Sequence, residues 1–317
     1  MKRSVKLLIA LILLISTNSY ATTWDEPWAE KVIQESTSFV LAKIVSSNPE
    51  KGIKIFVLKT LGGKQLTDTI LINNFYLLSL CSSSGEGPEF ETQVVDSCYF
   101  FLRQNEKKQF CIATPTTGFD YVTDGQVVAT FRHSYHQASV PVAIYEKTMT
   151  AVFNNYHNLP YDTAYIEKFV SENLSKSPAG FSENEVSAFF LQHVALECVY
   201  HLKLPVKETI LFPFLNDKKN FHNQVSAARA LRACNTEATK QEFLKIISDT
   251  TKRGFVQVMC VWSLAEFKPT ELKEPLQKIM AYASDEADGF GGNIMDPRVC
   301  TGIPSLKNAL KELVDKL

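Results

Sequence analysis

The residues best equipped for chemistry are few and scattered. His193, Glu197 and His201 recur at intervals of four, a spacing that lines them along one face of a helix, and imidazole with carboxylate is a metal-ligand set. The two histidines are separated by about 12 Å of helical rise, whereas zinc–nitrogen bonds are about 2 Å, so one ion takes only an adjacent pair completed from another helix. The spacing predicts a solvated helix flank. His133 and His136 bracket a Ser-Tyr pair. On an extended chain an offset of three sends them to opposite faces, which predicts a surface turn rather than a ligand pair. Asp285, Glu286 and Asp288 lie near Gly289, Gly291 and Gly292, but without the alternating acids and closing Glu of an EF-hand they predict a flexible loop.

No GxSxG elbow, HExxH pair, Walker A lysine loop or GxGxxG turn occurs in the chain. Catalysis needs an acid, base or nucleophile with a defined partner, so no catalytic, cofactor-binding or metal-binding residue is assigned and no cofactor is expected. The seven cysteines, at 81, 98, 111, 198, 234, 260 and 300, form no CxxC. Their spacings match no zinc finger or redox motif, and the odd total leaves at least one thiol unpaired within a monomer.

The elements that would position these residues follow an expected export signal over residues 1–21. Lys2, Arg3 and Lys6 precede the apolar run Leu7 to Ile15, and Ser19-Tyr20-Ala21 supplies small residues at −3 and −1 before Thr22. Nine apolar residues span only about 14 Å as a helix, roughly half a bilayer core, so the run predicts cleavage rather than a membrane anchor. Cleavage takes three basic and no acidic side chains, leaving 30 basic against 34 acidic. That mild acidity, with no Lys/Arg cluster, argues against a nucleic-acid partner. Destination is periplasmic or secreted, where disulfides persist. The 45% apolar and 21% charged composition is that of a folded chain with room for two domains.

Residues 22–138 read as a β-domain. Phe39–Val45, Ile53–Leu61 ending at a Gly62-Gly63 turn, Thr69–Phe75, Cys98–Leu102, Gln109–Ala113 and Gln126–Phe131 are short β-branched and aromatic runs. Six such strands with no room for crossover helices predict a small antiparallel barrel or sandwich, with Cys81 to Pro88 as a long loop. Residues 139–160 read as a linking helix and turn: Ser139 and Pro141 suit a helix start, and Val142, Tyr145, Met149, Val152 and Phe153 share one face. Residues 161–317 read as helical throughout, with one helix capped by Ser182 and Glu185 running from Glu183 to about Lys203.

The helical half repeats itself. An offset of 33 carries Ala227 onto Cys260, Leu231 onto Leu264, Phe243 onto Leu276 and Ile246 onto Ile279, and an offset of 29 carries Cys198 onto Ala227, Leu202 onto Leu231 and Phe214 onto Phe243. Each hairpin is too small to bury its own apolar face, so stacking is expected to build an α-solenoid, with Cys198 and Cys260 as small core residues. Ala283 to Pro304 interrupts the last repeat with about 20 residues, longer than most connections.

The segments Val225-Ser-Ala-Ala-Arg-Ala-Leu231 and Val258-Met-Cys-Val-Trp-Ser-Leu264 resemble HEAT-type repeats, which implies a curved solenoid that grips partners. Ser38-Phe-Val-Leu-Ala-Lys-Ile-Val45, Phe56-Val-Leu-Lys-Thr60, Cys81, Cys98-Tyr-Phe-Phe-Leu102 and Phe110-Cys111 resemble the netrin module, the tissue-inhibitor-of-metalloproteinase-like OB-type barrel. That resemblance implies a disulfide between Cys81 and Cys111, with Cys98 as the rival partner. Inhibitory members chelate zinc through an N-terminal cysteine; here the expected mature chain starts Thr22-Thr23-Trp24. The fold expected is an OB-like barrel followed by a HEAT-like α-solenoid. The function expected is a non-enzymatic, exported scaffold that binds a protein partner and inserts in no membrane; the alternative is a protease inhibitor acting through the barrel.

Overall fold

The computed structural model describes residues 27–48, 51–73, 97–113, 117–251, 254–291 and 300–317. The expected signal at 1–21 and Cys81 lie outside these residues. A short helix, α1 (Ala29–Glu35), precedes eight strands: β1 (Ser38–Asn48), β2 (Gly52–Gly63), β3 (Thr69–Ile72), β4 (Ser97–Gln104), β5 (Phe110–Cys111), β6 (Phe119–Thr123), β7 (Gln126–His133) and β8 (His136–Pro141).

Five strands close in the order β1-β2-β3-β5-β4 and back to β1, a barrel in which only the β3–β5 pairing is parallel. Alternation along the strands creates two cores. Val40, Ala42, Ile44, Ile53, Ile55, Cys98, Phe100 and Leu102 fill the barrel, while the intervening Phe39, Tyr99 and Phe101 point outward into a second core shared with the helices. β6, β7 and β8 continue from β4 as a meander. Asp124 and Gly125, with φ of 51° and 75°, form the two-residue hairpin turn between β6 and β7.

All six expected strands are present, joined by β6 and β8. Gly62 and Gly63 are not a turn. They end β2 where a Cβ on Gly62 would lie 2.5 Å from the Phe153 ring and one on Gly63 would lie 2.3 Å from the Thr37 carbonyl oxygen, so close approach is what requires glycine there.

Beyond the barrel the chain is largely helical. The linking helix α2 (Val142–Tyr156) starts at Pro141; Ser139 belongs to β8. It lies between the strands and α3 (Thr163–Leu174) and α4 (Val186–Leu202). Then come α5 (Glu208–Leu215), α6 (Phe221–Ala230), α7 (Glu237–Ser248), α8 (Gly254–Ala265), α9 (Lys273–Met280) and α10 (Leu306–Lys316). Each even-numbered helix from α4 packs on the helix before it, and α4, α6, α8 and α10 pack on one another in sequence. The 283–304 interruption contains β9 (Asp288–Gly291) paired with β10 (Cys300–Ile303). Among the described residues no helix is long and apolar enough to cross a membrane.

The expected disulfide is corrected by the barrel itself. Cys111 is a free, buried thiol on β5, placed so that its Sγ donates to the Arg103 carbonyl oxygen at 3.8 Å on the neighbouring strand β4. No disulfide joins Cys98, Cys111, Cys198, Cys234 and Cys260.

Candidate functional site

Where the strand unit meets the helices, the core turns polar. His193, Glu197 and His201 are not a solvated flank: all three are buried. α4 is covered by β7, β8 and α2 on one side and by α3 and α6 on others, so the turns that carry His193, Glu197 and His201 do not reach water. His133 and His136 are likewise buried rather than on a surface turn. The hairpin reverses between them, making them cross-strand neighbours instead of residues on one extended chain.

Four ions hold this junction. Arg229 on α6 donates from Nε to Glu197 Oε2 at 3.0 Å and from Nη1 and Nη2 to the two oxygens of Glu30 on α1, at 3.3 and 3.1 Å. Its guanidinium lies 3.9 Å from the Tyr200 ring centre and 5.1 Å from that of Trp28. Arg132 on β7 donates from Nη1 to Ser226 Oγ at 2.7 Å and to the His222 carbonyl oxygen at 3.1 Å, with Nη2 on His222 Nδ1 at 3.1 Å. Two guanidinium groups against two carboxylates leave the cluster formally neutral. Burial alone would raise the Glu30 carboxyl, but Arg229 in front of it outweighs burial and holds it at about 2. Burial alone would lower Arg229; Glu197 and Glu30 keep it firmly protonated instead.

Donor and acceptor roles fix the neutral histidines. Ser226 Oγ gives its one proton to Glu197 Oε1 at 2.7 Å, so His193 Nδ1, 3.1 Å away, must donate to it. Arg132 can only donate, so His222 Nδ1 accepts. His201 Nε2 donates to the Phe131 carbonyl oxygen at 2.7 Å, and its Nδ1 accepts from Tyr156 Oη at 2.9 Å. His136 stacks on His222 with ring centres 4.0 Å apart and meets His193 edge-on at 4.4 Å. Burial first, and then the surrounding positive groups, push His136 and His193 well below the usual histidine range.

Ser226, His193 and Glu197 are residue types that also build hydrolytic sites, but their order here is that of a brace. The serine hydroxyl already donates to Glu197, the histidine donates rather than accepts, and all three have no exposed surface. The two larger described cavities, of about 430 and 370 Å³, lie elsewhere, one beside Gln257, Tyr282 and Leu306 and the other beside Ser139, Val186 and Phe190. Among the described residues no group of three or more His, Cys, Asp or Glu is placed to hold a metal ion. Asp285 is paired with Lys307 at 2.8 Å. Cys198, Ala227 and Cys260 are each fully buried, on α4, α6 and α8.

The sequence held a signal for this cluster. The 29-residue offset that carries Cys198 onto Ala227 also carries His193 onto His222, Glu197 onto Ser226 and Tyr200 onto Arg229. Their two helices, α4 and α6, pack side by side, and the related residues meet there: Ser226 contacts both His193 and Glu197, and Arg229 lies over Tyr200.

No family model matches the chain, and neither a curated protein nor a solved structure matches it. Its reading therefore rests on its own geometry.

The strand unit also covers the helical layer. Trp28 meets Trp262 of α8 at 6.4 Å, Tyr135 meets Phe255 of α8 at 5.8 Å, and Arg132 and Glu30 reach α6. Three successive helices of the α4–α6–α8–α10 layer thus carry cargo from their own chain.

Proposed function

We propose that the protein is an exported, non-enzymatic interaction module in which an OB-like, netrin-type barrel is docked on a HEAT-like helical stack, and that the stack grips a protein partner at its far end. The strand order with its single parallel β3–β5 pairing supports the barrel assignment. The serial packing of α4, α6, α8 and α10 supports the stack. The observation that carries the functional reading is the unequal cover of that layer. Its first three helices are occupied by Trp28, Glu30, Arg132 and Tyr135, whereas the α9–α10 end bears the cavity of about 430 Å³ and Tyr282, 58% exposed. An open aromatic beside a concave, half-apolar surface is suited to a protein contact.

The experiment keeps the full chain, since the helical fragment alone would expose Arg229, Glu197 and Ser226. A photo-crosslinking amino acid is placed at Tyr282 or at Leu58, an exposed barrel residue, and irradiated in the native envelope fraction. The expected result is a discrete adduct from position 282 and none from 58. An adduct from 58 alone would refute the reading. It would favour instead a barrel-borne inhibitor, which the exposed Phe56, Leu58 and Leu71 on β2 and β3 support, and which a metalloprotease panel would test.

A further inference from the structure

We propose that the junction is an acid-released latch: proton uptake by the imidazoles of His136 and His193 frees the β7–β8 hairpin from α4 and α6 and uncovers the helical layer beneath it. The geometry leaves these rings no good way to accept a proton. His193 Nδ1 already donates to Ser226, so a new proton must go to Nε2, which is buried with no hydrogen-bond partner among the described residues. His136 Nε2 is likewise buried with no hydrogen-bond partner among the described residues. The neighbouring His222 ring offers no acceptor for the new proton, because its Nδ1 already accepts from Arg132 Nη2 at 3.1 Å.

The surroundings offer no compensation. β7 contributes Arg132 and His133, the turn contributes Tyr135, α4 contributes Glu197 and His201, and α6 contributes Arg229. The two carboxylates, Glu197 and Glu30, are already committed to Arg229 and Ser226. Any imidazolium is thus an uncompensated cation in a neutral, dry cluster, and opening to water relieves it. Protons have a short route inward, because His222 is only half-buried and its cover is Phe181, 55% exposed, with ring centres 5.9 Å apart.

His136 and His193 bind protons less readily closed than open, so the latch is fully held above about pH 6.5 and weakens as pH falls below it. Two protons per opening raise the open fraction about a hundredfold per pH unit there. Asp120 on β6, hydrogen-bonded to Thr130 N of β7 and to Tyr145 of α2, binds its proton more readily when folded and so supports the β6–β7 pairing against full release over the same range. The barrel strands β1 to β5 carry none of these histidines and so report global unfolding separately.

Hydrogen exchange on the full chain, corrected for the intrinsic pH dependence of exchange, tests this. Between pH 7.5 and 5.5, residues 131–140 and 221–229 are expected to lose protection by tenfold or more while 38–44 and 53–57 keep theirs. In His193→Gln the slope is expected to fall from about two protons to about one. Unchanged protection at 131–140, or loss of the barrel strands at the same pH, would overturn the proposal with the wild-type protein alone.

Discussion

Arg229 Nε lies 3.0 Å from Glu197 Oε2 although the two residues sit 32 positions apart on different helices, and neither side chain exposes more than 2% of its surface. The pair is the centre of a neutral set of four ions completed by Glu30 and by Arg132, whose Nη1 is 4.0 Å from Glu197 Oε1. Such a set adds little net stability over an apolar equivalent, but it is intolerant of losing one member.

Glu197→Gln is therefore expected to destabilise the protein by about 3–5 kcal/mol, because both arginines keep their charge and lose their most buried partner. Urea unfolding at pH 7.5 measures it. Glu30→Gln, at a carboxylate whose side chain is 23% exposed, is expected to cost less, about 1–3 kcal/mol. Equal costs for the two would mean that Glu197 is not the keystone.

The pH dependence of the barrel side has the opposite sign to that of the latch. Burial lifts the Asp120 carboxyl to about 7, outweighing hydrogen bonds from Tyr145 Oη at 2.5 Å and Thr130 N at 3.1 Å. Its folded value exceeds its unfolded one, so its contribution is complete below about pH 3.8 and is lost as pH rises through about 7. Asp120→Asn cannot ionise. Its stability relative to wild type is expected to improve between about pH 4 and 7, by up to about 1.4 kcal/mol per unit, and to level off above that. Parallel urea midpoints for the two proteins across that range would contradict the assignment.

The barrel was legible because its strands alternate. β6 and β8 were not, since Asp120 and His136 put polar groups where a strand reading asks for apolar ones, and only Tyr145 and the histidine cluster make their burial tolerable. The helix spacing of His193, Glu197 and His201 was read correctly, yet spacing says nothing about cover. Phe189, Val194, Leu196, Val199 and Leu202 ring the same helix, and that all-round apolarity is the sign that this stretch of α4 is enclosed.

Cys111 is expected to behave as a buried thiol. In non-reducing peptide mapping its peptide should run unlinked, and alkylation should require prior unfolding, because the residue is only 7% exposed. A linked Cys111 peptide from freshly purified protein would contradict the structure.

The stacking of the helices is tested at Ala227. Cys198, Ala227 and Cys260, related by the sequence offsets of 29 and 33, are fully buried on α4, α6 and α8, and α6 packs on both of the others. A small side chain in the middle lets the flanking helices approach from both sides. Ala227→Leu adds three carbons to a site without described space and is expected to cost about 1–3 kcal/mol by overpacking. Ala227 is also next in sequence to Ser226 and two residues from Arg229, so a shift of α6 would move both away from Glu197. The overpacking and the ionic damage then share a cause. A double-mutant cycle with Glu197→Gln should give a combined cost smaller than the sum of the two by at least about 0.5 kcal/mol, whereas strict additivity would place the two sites in independent parts of the core.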